Sequence, residues 1–227
     1  MPSSCLQPLL CVLLPLHFAR AEGQYYLHPN ITLLFDSSSH GDSLRNCSCV
    51  TAVHQCEEKV ANQLCSCSTV SRSSLIPAGL RWEGSWTSGN ITVWAHKPWV
   101  LTELLNHSQF PELQIFLCAP ILPTGTAQYL TLVGLRRLQV YTSNRVLRHK
   151  DQYLNIGSAG GIDMQDTGLS VTFLDVGSLP GVWHLKAYSV VGPPLNMLKQ
   201  HFPNLTINIQ SSDLENIHKP SILTFIY

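Results

Sequence analysis

The stretches Leu44-Arg-Asn-Cys-Ser-Cys49 and Leu64-Cys-Ser-Cys67 carry the same Cys-Ser-Cys triplet, and Cys56 lies between them. The chain has 8 cysteines in 227 residues, and most of them fall in this short segment. Closely spaced cysteines in an exported chain are more often disulfides than metal ligands. Zinc sites usually separate their cysteines by two to four residues, which a Cys-x-Cys triplet does not match. The segment therefore predicts a disulfide-linked fold without a metal site.

The amino terminus has the organisation of a secretory signal peptide. An apolar run at Leu9–Leu16 is followed by the small-x-small pattern Ala19-Arg-Ala21. The run is shorter than the roughly 20 apolar residues that span a bilayer, and no later run is long enough. We therefore expect residues 1–21 to be removed and the mature protein to be secreted from Glu22 onward. Cys5 and Cys11 would leave with the signal.

Five Asn-x-Ser/Thr sequons support export independently, since a glycan at a used site must lie at the surface of a secreted protein. Charged residues make up 12% of the chain, against about 25% in a typical soluble domain, and the net charge is zero. A surface with so few charged residues is poorly hydrated, and N-linked glycans would supply the missing hydration. Neutrality also argues against nucleic-acid binding. The predicted N-glycosylation sites are Asn30, Asn46, Asn90, Asn106 and Asn204.

The mature cysteines can pair in 15 ways. A bond within either triplet would close a very small, strained ring. A helix predicted at residues 57–64 would hold Cys56 and Cys65 about 13 Å apart, whereas a disulfide joins Cα atoms within about 7 Å. Several pairings stay open, and we favour the one that bonds the triplets to each other and Cys56 to Cys118. The six predicted disulfide cysteines are Cys47, Cys49, Cys56, Cys65, Cys67 and Cys118.

Beyond the cysteines, an ordered series of segments runs along most of the chain. It comprises Leu44–Cys49, Cys56, Val60–Cys67, Ile91–Trp94, Leu113–Cys118, Gly134–Val140 and Thr224–Tyr227. This series resembles the exosomal polycystin-1-interacting protein family. The likeness is dense from Leu44 to Cys67 and from Trp94 to Val140, and thin from Tyr141 to Lys219. The resemblance implies that the chain binds polycystin-1 as a protein partner and is associated with extracellular vesicles (exosomes).

A leucine recurs in short alternating segments after the cysteine region, as expected of half-buried strands. These segments are Leu113-Gln-Ile115, Leu138-Gln-Val140, Leu185-Lys-Ala187 and Leu205-Thr-Ile207. The apolar helical stretches at residues 99–105 and 195–198 precede two of them, a pattern similar to leucine-rich repeats but irregular in period. We therefore predict an α/β fold with a small disulfide-stapled region (22–80) and a solenoid-like core (81–227), packed as one globular unit. The alternative is an irregular α+β domain.

Further strands are predicted where β-branched and aromatic residues alternate or cluster. The predicted strands are residues 25–35, Ile91–Ala95, Leu169–Val176, residues 182–191 and Ile222–Tyr227. Ser68–Ser74 is predicted to be a loop because serine is abundant there and Pro77 and Gly79 follow.

Four of the five tryptophans lie close together in sequence, at Trp82, Trp86, Trp94 and Trp99. Aromatic faces stack on sugars, so a lectin-like carbohydrate-binding module over Trp82–Trp99 is the alternative function. Packing in the core or in loops is the competing interpretation of the same residues.

No motif predicts an enzyme or a cofactor site. Gly157-Ser-Ala-Gly-Gly161 has neither the lysine of a phosphate loop nor the Gly-x-Ser-x-Gly spacing of a nucleophile elbow. Glycoside hydrolysis needs two opposed, buried carboxylates, and Glu57/Glu58 and Glu103/Glu112 are interpreted as solvated side chains. We therefore predict a non-enzymatic binding protein. The sequence leaves its partner-binding surface and its oligomeric state open.

Overall fold

The computed structural model describes residues 31–37, 39, 41, 43–71, 90–119, 128–142, 151–156, 169–179, 184–192, 200 and 219–227. Within these ranges 56% of the residues lie in strands and 13% in helices. In chain order the elements are β1 (Ile31–Asp36), β2 (Ser43–Cys49), α1 (Glu58–Leu64), β3 (Cys65–Ser71), β4 (Asn90–Ala95), α2 (Trp99–Leu105), β5 (Ser108–Gln109), β6 (Glu112–Leu117), β7 (Tyr129–Val133), β8 (Arg137–Thr142), β9 (Gln152–Asn155), β10 (Ser170–Asp175), β11 (Ala187–Gly192) and β12 (Ser221–Ile226).

The larger sheet, which we call sheet A, has seven strands in the order β3-β2-β1-β4-β6-β8-β9. Its four middle strands, β1, β4, β6 and β8, run parallel to one another. β4 reads Asn-Ile-Thr-Val-Trp-Ala and is buried along nearly its whole length, as expected of a parallel strand covered on both faces. The antiparallel hairpin partners β2 and β3 extend the sheet on one side, and β9 closes the other.

The smaller sheet, sheet B, has five strands in the order β11-β12-β10-β7-β5. The strand predicted at the carboxyl end of the chain is β12, and it lies inside this sheet, parallel to β10 and antiparallel to β11. β7 completes the central part by pairing antiparallel with β10. Pairing on both sides explains why β12 is buried along almost all of its length.

The two sheets share one hydrophobic core, and we call the face of each sheet that lines it the inner face. Sheet A contributes residues such as Leu34, Val93 and Ile115, and sheet B contributes Leu130 and Leu174. α2 adds an apolar stripe to this core, formed by Val100, Leu101, Leu104 and Leu105. The opposite, outer face of sheet A is covered by the disulfides and α1, and the outer face of sheet B carries a third, smaller cluster. No helix within the described ranges is long and apolar enough to cross a bilayer.

The predicted solenoid-like α/β core is wrong, because the described part of the chain forms two mixed sheets with two short helices. Leu113 and Leu138 do pair directly, on the parallel neighbours β6 and β8. Between them, however, the chain leaves sheet A to form β7 in sheet B, and Leu185 precedes β11 at the far edge of sheet B. A Leu-x-Ile pattern reports one buried face of a strand, and it carries no information about which strand lies alongside. The fourth segment, Leu205–Ile207, lies outside the described residues.

Several local predictions are confirmed. α1, α2, β4, β10 and β12 begin and end within a residue or two of the predicted bounds. The predicted loop at Ser68–Ser74 is wrong over residues 68–71, since these belong to β3. Serine is uncommon in strands, but β3 is an edge strand whose polar side chains face water while its backbone pairs with β2. The segment predicted at residues 182–191 forms a strand only from Ala187.

Candidate functional site

Two disulfides join β2 to β3 at directly opposed positions. Cys47 is bonded to Cys67 and Cys49 to Cys65, with Cα atoms 4.0 and 4.4 Å apart. The strand register places each cysteine opposite its partner, and alternation along the strands puts all four sulfurs on the outer face of sheet A. There they pack with Val60 of α1 and with the ring of Phe35.

A third disulfide fastens α1 to the body of the sheet. Cys56, just before the helix, is bonded to Cys118, just after β6, with a Cα separation of 5.7 Å. The backbone N–H of Cys118 also donates to the Ala95 carbonyl oxygen at 3.0 Å. The Cys56–Cys118 disulfide and the two triplet bridges form the pairing that we favoured from the sequence. Cys56–Cys118 holds the start of α1 near the end of β6.

The described sequon asparagines all lie at half-buried positions of ordered backbone. Asn46 is inside β2 and Asn90 begins β4. Asn106 follows α2, and its Oδ1 atom accepts a hydrogen bond from the Thr131 backbone N–H at 3.0 Å. A glycan attaches to Nδ2, so this hydrogen bond leaves the attachment atom unused. Asn30 and Asn204 lie outside the described residues, and occupancy at all five sites stays a prediction.

The tryptophan segment does not form one aromatic face. Trp94 is 1% exposed, and its ring centroid lies 4.9 Å from that of Phe35 on the outer face of sheet A. Trp99, at the start of α2, is 40% exposed. Trp82 and Trp86 lie outside the described residues. Core packing therefore accounts for Trp94, which removes it from any sugar-stacking surface.

A concave pocket of about 540 Å³ opens where β1 and β4 end, and we call it the strand-end pocket. Ligand sites in open parallel sheets characteristically lie beyond the carboxyl ends of the strands, and both parallel neighbours end here. The pocket is lined by Phe35, Asp36, Ser37, Gly41, Cys56, Glu58, Trp94 and His96.

Serine hydroxyls fix the carboxylate of Glu58 at one wall of the strand-end pocket. The Ser37 hydroxyl donates to Glu58 Oε2 at 2.7 Å, and the Ser39 hydroxyl donates to Glu58 Oε1 at 3.1 Å. Glu58 is the first residue of α1, where the positive end of the helix dipole favours a negative charge. The Cys56–Cys118 disulfide lies next to this helix start, so the carboxylate has a covalently restrained position.

The electrostatics of the pocket favour a cationic ligand group. The carboxylates of Asp36 and Glu58 both line it. Trp94 lines it too, and its buried indole N–H has no hydrogen-bond partner among the described residues, a costly arrangement unless an acceptor is supplied. A lysine or arginine side chain of a ligand would be attracted to the two carboxylates. Within the described ranges no cluster of three or more potential metal ligands occurs.

Two of the four carboxylates considered from the sequence have polar partners in the structure. Glu58 accepts the serine hydroxyls described above, while Glu112 pairs with Arg137 across β6 and β8 at 3.1 Å. Sequence reasoning missed the strand-end pocket because its lining residues are spread over four separate segments. The two strand ends, each followed by a polar residue, were the available signal. The Gly157–Gly161 segment lies outside the described residues.

A family model described as exosomal polycystin 1 interacting protein matches residues 3–227. The match therefore takes in both sheets, all three disulfides and the strand-end pocket. No solved structure matches the chain.

Proposed function

Because the chain belongs to the exosomal polycystin 1 interacting protein family, we propose that it is a secreted, N-glycosylated, non-enzymatic binding protein whose partner is polycystin-1. We also propose that it is associated with extracellular vesicles. The match over residues 3–227 is the observation that carries both statements. The family name links the chain to this partner.

The three disulfides support the extracellular part of the proposal. Disulfides form and persist in the secretory pathway and outside the cell, and they are rare in the reducing cytosol. All six cysteines of the proposed mature chain are paired in the structure. Binding to a membrane protein such as polycystin-1 would bring the chain to vesicles.

The strand-end pocket is the contact that we propose for the partner. Its two carboxylates fit a basic side chain on an exposed polycystin-1 loop. Glu58 is held in place before binding by Ser37 and Ser39. A preorganised carboxylate loses little side-chain entropy when it binds, so more of the interaction energy appears as affinity.

The test is capture of the protein, secreted by mammalian cells, on immobilised polycystin-1 ectodomain. We expect saturable binding by the natural chain and binding several-fold weaker for Glu58→Gln, which removes the charge but retains an oxygen acceptor for the serines. Asp151→Asn is the matched control, because Asp151 is an exposed carboxylate before β9 and does not line the pocket. Thermal unfolding of each variant verifies that the fold is unchanged.

The possible results separate the partner from the contact. No capture of the natural protein would contradict the proposed partner. Equal capture of natural protein and Glu58→Gln would reject the pocket as the contact while leaving the partner in place. Vesicle association is tested by sedimenting vesicles from medium of producing cells with and without polycystin-1, and we expect co-sedimentation only when polycystin-1 is present.

The lectin-like alternative gains no support from the described residues. Its central tryptophan, Trp94, is in the hydrophobic cluster under α1. An aromatic ring that stacks on sugars has to be exposed, and only Trp99 meets that condition among the described tryptophans. We therefore propose only the protein-binding function.

A further inference from the structure

Strand β11 is the free edge of sheet B. It is paired with β12 on one side, and all its residues except half-buried Gly192 are exposed. Tyr188 is 63% exposed, and Val190 and Val191 are exposed as well. An exposed, apolar edge strand is a ready template for pairing with another chain, and natural proteins usually protect it with charge, proline or short length.

The backbone groups that β11 offers can be read from its pairing with β12. Lys186 and Tyr227 exchange both backbone hydrogen bonds, at 2.8 and 3.0 Å. In an antiparallel ladder such pairs alternate with pairs that exchange none, so the groups of residues 188, 190 and 192 face β12. The N–H and C=O groups of Ala187, Ser189 and Val191 consequently point away from the sheet, and no described strand pairs with them.

The other edge strands in the described part of the chain are protected. β5 has two residues and β9 has four. β3 is longer, but its exposed side chains are serines and a threonine rather than apolar residues. β11 reads Ala-Tyr-Ser-Val-Val-Gly, with neither charge nor proline.

We propose that two copies of this chain associate through β11, pairing antiparallel about a two-fold axis at Ser189. In this register Ala187 lies opposite Val191 of the second copy, and Ser189 lies opposite its own equivalent. All three residues with outward-facing backbone groups then pair, each pair exchanging two hydrogen bonds. Shifting the register in either direction leaves some of these groups unpaired.

The side chains also fit a second copy of the same strand. A two-fold interface brings the same surface against itself, so any charge near the axis would meet its own equivalent. β11 carries none, and the flanking Lys186 would face Gly192 of the second copy. On the outer face, Tyr188 would lie against Val190 of the second copy, an aromatic and β-branched pair of the kind that stabilises sheets. Across β10, β12 and β11, one row of aromatic side chains is formed by Phe173, Phe225 and Tyr188. In the dimer this row would continue onto the second copy.

Pairing of one short strand buries little area, so the dimer is expected to be reversible and dependent on concentration. Sedimentation velocity of the intact secreted protein, over a wide concentration range, tests this directly. Ser189→Lys and Ser189→Glu each place like charges against each other at the axis. Each is expected to raise the dimer dissociation constant about fivefold, while an equimolar mixture forms dimers again because opposite charges then meet. Ser66→Lys is the matched control, an exposed serine on the edge strand β3 of sheet A.

A protein that stays monomeric up to its solubility limit would overturn the proposal. So would a dimer that Ser189→Lys and Ser189→Glu leave unchanged, since the copies would then meet on another surface. If the natural chain is monomeric and Ser189→Lys abolishes capture on the polycystin-1 ectodomain, the edge pairs with the partner and the two-fold dimer is rejected. Self-association is measured without polycystin-1, so its failure and that of the proposed function are distinguishable.

Discussion

His107 has a left-handed backbone conformation, with a φ of 63°, between α2 and β5. Its N–H donates to the Thr131 carbonyl oxygen at 2.8 Å, and the preceding Asn106 accepts from the Thr131 N–H through its side chain. This exchange ties the end of α2 to β7 and so closes one end of the core between the sheets. A residue other than glycine rarely adopts such a φ, although asparagine and histidine do so more readily than most.

Histidine at this position makes the stability of the fold depend on pH. Burial lowers the pKa of His107 below its ordinary value, so the unfolded chain binds the proton more readily than the folded chain. The contribution of neutral His107 to the free energy of unfolding is therefore fully present above pH ~6.5. It is lost as the pH falls through the lowered pKa of the folded state. Denaturant unfolding at a series of pH values measures this loss. His107→Asn keeps a residue that tolerates positive φ and leaves the sequon at Asn106 intact, and we expect it to show a smaller acid loss. Equal losses in both proteins would contradict the prediction.

The disulfides act at the scale of elements, and they differ in the length of chain that they close. Cys49–Cys65 spans 16 residues and joins neighbouring strands that are also hydrogen-bonded. Cys56–Cys118 spans 62 residues and joins α1 to the end of β6. A longer loop loses more conformational freedom when it is closed in the unfolded chain.

Removal of Cys56–Cys118 is therefore expected to cost more than removal of Cys49–Cys65. On the chain-entropy model, Cys56→Ser with Cys118→Ser lowers the free energy of unfolding by about 4 kcal/mol, and Cys49→Ser with Cys65→Ser by about 3 kcal/mol. Denaturant unfolding of the secreted double variants gives the comparison. The reverse order would show that constraint of the unfolded chain is not the main contribution.

At the scale of the whole molecule, stability depends on the core that the two sheets share. Leu113 lies in the middle of sheet A, is fully buried, and packs in the cluster that includes Leu130 and Leu174 of sheet B. A cavity at this point would remove contacts with both sheets at once.

Leu113→Ala is expected to lower the free energy of unfolding by about 2–5 kcal/mol, the range for a leucine truncated in a packed core. Leu64→Ala, at the exposed end of α1, is the matched control and is expected to change it by less than about 0.5 kcal/mol. Both values come from denaturant unfolding monitored by tryptophan fluorescence. A small effect of Leu113→Ala would contradict the prediction and would mean that the core closes around the truncated side chain.

The sequence by itself determined the features that depend on neighbouring residues along the chain. Alternation and apolar spacing located β4, β10, β12 and both helices. Apolar residues recur about every second position in a strand with one buried face and about every three to four positions in such a helix. The short distance that a disulfide can bridge, together with the rigid spacing of α1, excluded a bond between Cys56 and Cys65 but left several pairings open. The resemblance to the family was also recognisable in the chain alone, and the match over residues 3–227 confirms it.

Only the tertiary structure decided which strands are neighbours and which residues meet across them. Leu113 and Leu138 carry the same pattern as Leu185, yet the first two pair within sheet A and the third precedes the edge of sheet B. Which strands pair depends on how all the strands pack against one another around the shared core. The local sequence pattern of one strand does not contain that information. The strand-end pocket and the free edge at β11 follow from that packing, since each depends on which strands end together and which strand is left without a second neighbour.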